Sequence, residues 1–139
     1  MTKIPLTEKE IESHILGYLD TLGGFVLKIN SGGKPILNRE GRMIMIPFKN
    51  PYSPKGMSDI LFLYEGCAFC FEVKKPSEVK FIKNSYQRLQ EGSFSSENKT
   101  YRRLRDQILF IERVKSNGGY GGFVSSIEEV KSIIHLANL

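Results

Sequence analysis

Asp59-Ile-Leu-Phe-Leu-Tyr64, Glu65-Gly66 and Cys67-Ala-Phe-Cys-Phe-Glu-Val-Lys74 form the stretch whose reading decides the fold. Two short runs rich in aromatic and branched side chains flank a two-residue turn. Its second position is glycine, which tolerates the positive φ of a type I′ turn. The spacing predicts a β-hairpin in which Tyr64 faces Cys67 and, counting back from the turn, Asp59 faces Glu72. A one-residue slip would send every side chain to the opposite face, so the prediction is sharp. Alternation along the second strand assigns Phe69, Phe71 and Val73 to a core face, and Cys70, Glu72 and Lys74 to a charged one. Two adjacent carboxylates repel each other unless a cation lies between them, and ligands that are all oxygen suit a hard ion such as Mg²⁺ or Mn²⁺.

Upstream, Thr7 and Glu10 have capping-box spacing, and Ile11, Ile15, Tyr18, Leu19 and Leu22 recur at helical period before Gly23-Gly24. Phe25 to Ile29 reads as a strand, Asn30 to Gly33 as a turn, and Lys34 to Leu37 with Arg42 to Phe48 as a second hairpin. Pro47, Pro51 and Pro54 make the approach to Gly56 irregular. Downstream, Glu78 to Glu91 has the makings of a helix inside a polar, basic segment, and Gly92 to Ser96 reads as loop. Tyr101, Leu104, Ile108, Ile111 and Val114 mark a further helix closed by Asn117-Gly118-Gly119. Tyr120 to Val124 fits a last strand, and Ser126 with Glu129 caps a final helix carrying Ile127, Val130 and Ile134.

The 139 residues, 40% hydrophobic and 25% charged, suffice for one core, so a single domain over 1–139 is expected. No apolar run approaches the roughly 20 residues of a membrane span, and Met1-Thr-Lys-Ile-Pro5 lacks the apolar stretch of a signal peptide. A cytoplasmic protein with no membrane partner is expected. Cys67 and Cys70 spell C-x-x-C, but an odd separation within a strand sends the thiols to opposite faces, and no second cysteine pair supports a zinc site. His14 and His135 have no partner at ligand spacing and read as structural.

Net charge is +5, and its distribution is informative. From Lys74 to Arg113 there are ten basic residues against five acidic ones, so this stretch alone accounts for the excess of the whole chain. Concentrated positive potential of this kind is the footprint of a nucleic-acid contact. Lys75, Lys80, Lys83, Arg102, Arg103 and Arg105 are the candidate phosphate contacts; a merely solvated basic face is the alternative.

Gly56-Met57-Ser58-Asp59 followed by Glu72-Val73-Lys74 resembles the catalytic core of the PD-(D/E)xK nuclease superfamily. Glu8 with Ile11 and Ile15, the Lys28-Ile-Asn-Ser-Gly32 stretch, Gln107 in an amphipathic helix ending in glycine, and Gly121 to Val130 extend the likeness. Across most of the chain it is similar to the small stand-alone VRR-NUC nucleases of phage and bacterial genomes. The sequence departs from that pattern in placing 32 residues between Lys74 and Gln107, a gap that also holds Gln87 and Gln90. The segment at about 76–99 then reads as a basic insertion, one that contacts DNA or one partly disordered without substrate.

The resemblance implies an α/β restriction-endonuclease-like fold, a mixed central sheet flanked by helices with the site at one sheet edge. It implies a Mg²⁺- or Mn²⁺-dependent endonuclease of branched DNA, including four-way junctions, in the cytoplasm of a bacterium or a phage-infected host. Asp59, Glu72 and the carbonyl of Val73 would hold the metal, Glu8 would complete its shell with Glu12 in reserve, and Lys74 would orient water or steady the developing anion. Gln107 would be the motif glutamine. Two symmetric cuts in a junction imply a homodimer, to which Phe48, Tyr52 and Phe94 are candidate contributors. The rival readings are a nuclease of plain duplex or single-stranded ends, and a non-cleaving nucleic-acid-binding module.

Overall fold

The computed structural model describes residues 4–29, 34–46, 54–91 and 98–139. The turn expected at Asn30 to Gly33, the loop at Gly92 to Ser96, and Pro47, Phe48, Pro51, Tyr52 and Phe94 lie outside them. Helix α1 (Glu8–Thr21) opens on the expected capping box: the Thr7 side chain accepts from the Glu10 amide, and the Glu10 carboxylate accepts from the Thr7 backbone. Strand β1 (Phe25–Lys28) follows, then β2 (Lys34–Leu37) and β3 (Met43–Ile46), which pair with each other as a separate hairpin.

Strands β4 (Ile60–Tyr64) and β5 (Cys67–Val73) form the decisive hairpin in the expected register, with Tyr64 opposite Cys67 and Ile60 opposite Phe71. Glu65 and Gly66 both take positive φ, 51° and 78°, as a type I′ turn demands. Next come α2 (Pro76–Gln90), α3 (Lys99–Ser116), β6 (Tyr120–Val124) and α4 (Ile127–His135). The main sheet runs β1-β4-β5-β6, with β6 parallel to β5 and the other pairings antiparallel. Parallel neighbours need a long crossover, which α2 and α3 supply. The chain is therefore mixed α/β, with a mixed sheet between helices. Among the described residues no helix is long and apolar enough to cross a membrane.

Both faces of the sheet are covered, which corrects the expectation of one charged face. On one side Ile11, Ile15 and Leu19 of α1 and Val130 of α4 pack against Ile60, Phe62, Phe69, Phe71 and Val73. On the other, Val79, Ile82 and Leu89 of α2 join Leu104, Ile108 and Ile111 of α3 over Cys70 and Phe123. The basic segment between Lys74 and Lys99 thus holds a helix whose apolar stripe is core. Phe71 has no exposed surface, and truncating it to Ala would cost about 3–5 kcal/mol. Cys67 and Cys70 fall on opposite faces, as expected, and both are free thiols.

Gly56 fastens the entry to β4 onto α3. Its φ is 76°, and a Cβ there would lie 2.3 Å from the carbonyl carbon of Asp106 and 2.6 Å from the amide nitrogen of Gln107. Backbone meets backbone, so neither side can yield. Gly56→Ala combines left-handed strain with this collision and should cost at least about 2 kcal/mol in urea unfolding. An unchanged unfolding midpoint would show that the loop does not hold α3 in place.

Candidate active site

The site grows from the open end of the β4–β5 hairpin. Asp59 precedes β4, and Glu72 and Val73 end β5, so the register that buries Ile60 opposite Phe71 also brings the two carboxylates together. Two reciprocal hydrogen bonds lock them. The Asp59 amide donates to Glu72 Oε2 at 3.2 Å, and the Val73 amide donates to Asp59 Oδ2 at 2.8 Å. The location corrects the expectation of a sheet edge: these are the two central strands, and the carboxylates stand at their ends.

Glu72 is 3% exposed, and helix α3 reaches it from above. Gln107, itself 3% exposed, donates from Nε2 to Glu72 Oε1 at 2.8 Å. Lys74 Nζ stands 3.8 Å from the same oxygen. Burial, reinforced by the neighbouring Asp59 charge, pushes the Glu72 carboxyl up to about 8, although Lys74 and the hydrogen bond from Asp59 pull the other way. The carboxylate pair therefore carries an electrostatic cost that a bound cation would relieve.

Of the glutamines left open by the sequence, the structure brings Gln107 to Glu72. Gln87 instead bonds Glu91 on the exposed side of α2, and Gln90 is exposed. Glu8 is half-buried and near Lys74, Glu78 and Asp59. Desolvation raises its carboxyl, Lys74 opposes the rise, and the Glu78 and Asp59 charges add to it. It lines a cavity with Lys74 and Gln107, whereas Asp59 and Glu72 line the adjoining cleft. Glu12 pairs with Lys28 at 3.2 Å, which accounts for both, and Glu10 serves the cap. His14 and His135 are exposed.

Above the carboxylates opens a cleft of about 770 Å³ lined by Lys55, Lys99, Arg102, Arg103 and Arg105. The candidate arginines are therefore gathered at the site, and the Arg105 Nε is buried without a partner. The candidate lysines are not gathered there. Lys83 Nζ lies 3.5 Å from Glu129 on the α4 side, and Lys75 and Lys80 are exposed outside the cleft lining. Sequence reasoning missed Lys55 and Lys99. Lys99 shares the i, i+3, i+4 face of α3 with Arg102 and Arg103, a spacing that could have singled it out; Lys55 directly precedes the Gly56 contact.

Among the described residues no three His, Cys, Asp or Glu side chains form a ready-made metal cage. Mg²⁺ does not need one: it commonly takes one or two carboxylates and completes its shell with water and substrate phosphate oxygens. Two carboxylates, one of them nearly buried, beside the Val73 backbone fit that demand. Neither the family models nor the curated proteins with which the chain was compared give a match.

A carboxyl raised by burial binds its proton more tightly folded than unfolded, so it stabilises the fold below its ordinary range and loses that contribution as pH climbs toward 8. In chelator, the thermal unfolding temperature of the wild type should therefore fall between about pH 5 and pH 8. Glu72→Gln should flatten the decline. A parallel decline in the variant would assign it to other groups.

Proposed function

We propose that this chain is a metal-dependent deoxyribonuclease of the PD-(D/E)xK type, similar to VRR-NUC nucleases and built on a restriction-endonuclease-like fold, that hydrolyses phosphodiester bonds in structured DNA. One observation carries the reading: a hydrogen-bonded Asp59–Glu72 pair, with Lys74 beside it, lies on the floor of an arginine- and lysine-lined cleft. Basic walls attract a polyanion, while an acidic floor has a use there only if a cation joins the two.

In this proposal Asp59, Glu72 and the Val73 carbonyl hold Mg²⁺ or Mn²⁺, with Glu8 contributing from beside Lys74. The ion, when bound, supplies Lewis acidity and lowers the pKa of water. The chain's own residues do the positioning. Gln107 fixes Oε1 of Glu72, the Asp59 amide fixes Oε2, and the Val73 amide fixes Asp59. Lys74, 11% exposed at its side chain, is held by burial where its ammonium can orient the attacking water or offset charge gathering on the phosphate oxygens. Arg102, Arg103 and Arg105 seat the flanking phosphates, and Arg103 also faces Glu72 electrostatically. A four-way junction cut by a homodimer is the substrate and assembly this proposal favours, since a single site makes one nick and resolution takes two symmetric ones.

Nicking of labelled duplex, flap, fork and four-way-junction DNA with Mg²⁺ or Mn²⁺ tests the reading. Asp59→Ala and Glu72→Ala should each abolish cleavage while leaving DNA binding intact, and Lys74→Ala should slow it by roughly 10²–10⁴-fold. Activity in excess chelator, or undiminished activity in Asp59→Ala, would contradict it. Replacing Arg102, Arg103 and Arg105 together should weaken binding to every substrate and lower the salt slope by about one per lost contact, measured by fluorescence anisotropy across salt concentrations. An unchanged slope would return these arginines to a solvated face.

A further inference from the structure

Beside the cleft lies a second cavity of about 390 Å³ at the meeting of α1, α2 and α3, sharing Thr100, Arg103 and Gln107 with it. One face of α2 supplies Glu78, Phe81 and Ile82, at helical spacing, and one face of α3 supplies Leu104 and Gln107. Phe81 is 42% exposed, and its ring, tilted against Tyr101 at 6.5 Å between centroids, keeps surface open outside the core. Gln107 spans the two spaces. Its Nε2 is committed to Glu72, and its Oε1 is buried with no hydrogen-bond partner. A buried acceptor left without a donor is costly, and a ligand N–H would recover that cost.

The contents of the cavity select the ligand. A second divalent cation is disfavoured, because Lys74 and Arg103 both line the space and offset the Glu8 and Glu78 carboxylates. Phe81, Ile82 and Leu104 offer apolar walls, as a planar group requires, and the volume falls in the range of small-molecule pockets. The available acceptors, Gln107 Oε1 and the Glu78 and Glu8 carboxylates, call for a ligand edge rich in N–H donors. A nucleobase combines an apolar face with such an edge, and Arg103, shared with the cleft, sits where the attached phosphate would pass.

We propose that this cavity receives one unpaired nucleobase from the DNA strand whose phosphate lies in the cleft. The base stacks on Phe81 and presents its N–H groups to Gln107 and Glu78. The proposal rests on the nuclease reading for the path of the strand, and it deepens that reading. A base is cheapest to unstack at a branch, mismatch or single-stranded end, so the pocket would convert DNA structure into selection.

The test uses the full chain and a duplex with one unpaired nucleotide, carrying adenine, 2-aminopurine or an abasic residue at that position. In chelator, the 2-aminopurine fluorescence should change when wild type binds; the change should be lost in Phe81→Ala, kept in Phe81→Tyr and reduced in Glu78→Gln. With Mg²⁺, wild type should cut the adenine substrate about tenfold faster than the abasic one, and Phe81→Ala should bring the two rates together without slowing the abasic reaction. No fluorescence change on adding wild type, or the same change in Phe81→Ala, overturns the pocket whatever the cleavage result. A wild type that cuts nothing but shows the Phe81-dependent signal defeats the nuclease reading and leaves the base pocket standing.

Discussion

Two backbone amides at the open end of one hairpin hold the molecule's chemistry in place. The Asp59 N–H reaches Glu72 and the Val73 N–H reaches Asp59, so each carboxylate is held by the strand opposite its own. This exchange depends on the pairing of β4 with β5, and the pairing depends on the positive φ angles of Glu65 and Gly66 at the far end. A slip of one residue would turn Glu72 into the apolar layer of Phe69, Phe71 and Val73. Everything else at the site is attached to this frame. Helix α3 adds Gln107 from above because Gly56 lets the backbone entering β4 press against Asp106 and Gln107.

The hairpin was legible because its signals are local: short aromatic strands, a glycine in the turn, and a period of two. The α1 capping box, the Ser126 cap of α4 and the α3 stripe were legible for the same reason. What escaped the sequence was tertiary. The charged face of β5 reads as solvent-facing because Glu72 and Lys74 occupy it, yet α2 and α3 close over it, leaving Glu72 3% and Lys74 9% exposed. Helix α2 is weakly marked in the sequence because Val79, Ile82 and Leu89 are diluted by lysines and polar residues over Pro76–Gln90. Proximity between basic residues of separate elements left no mark on charge or periodicity. Lys83 resembled a phosphate contact and pairs with Glu129, whereas Lys55 lay outside the basic stretch and lines the cleft.

Burial on both faces sets the energetics of the site as much as its geometry. A surface carboxylate pair would be screened and inexpensive, but the same pair under α3 pushes Glu72 up to about 8 and leaves Gln107 Oε1 without a partner. Perturbed, buried polar groups cluster where proteins bind or react, which is what makes this end of the hairpin the candidate site. Acidic floor, basic walls and buried amide are three parts of one arrangement. In the proposed function a cation would satisfy the floor, a phosphate backbone the walls, and a ligand N–H the amide oxygen.

Whether Asp59 and Glu72 together make a cation site is read most directly from Mn²⁺ binding followed by electron paramagnetic resonance, which relies on neither DNA nor turnover. Wild type should take up one ion in a saturable manner, and uptake should be lost in Asp59→Asn and in Glu72→Gln while circular dichroism shows both variants folded. Equal Mn²⁺ uptake by the folded variants, or none by the wild type at millimolar metal, would show that the two carboxylates are not a cation site.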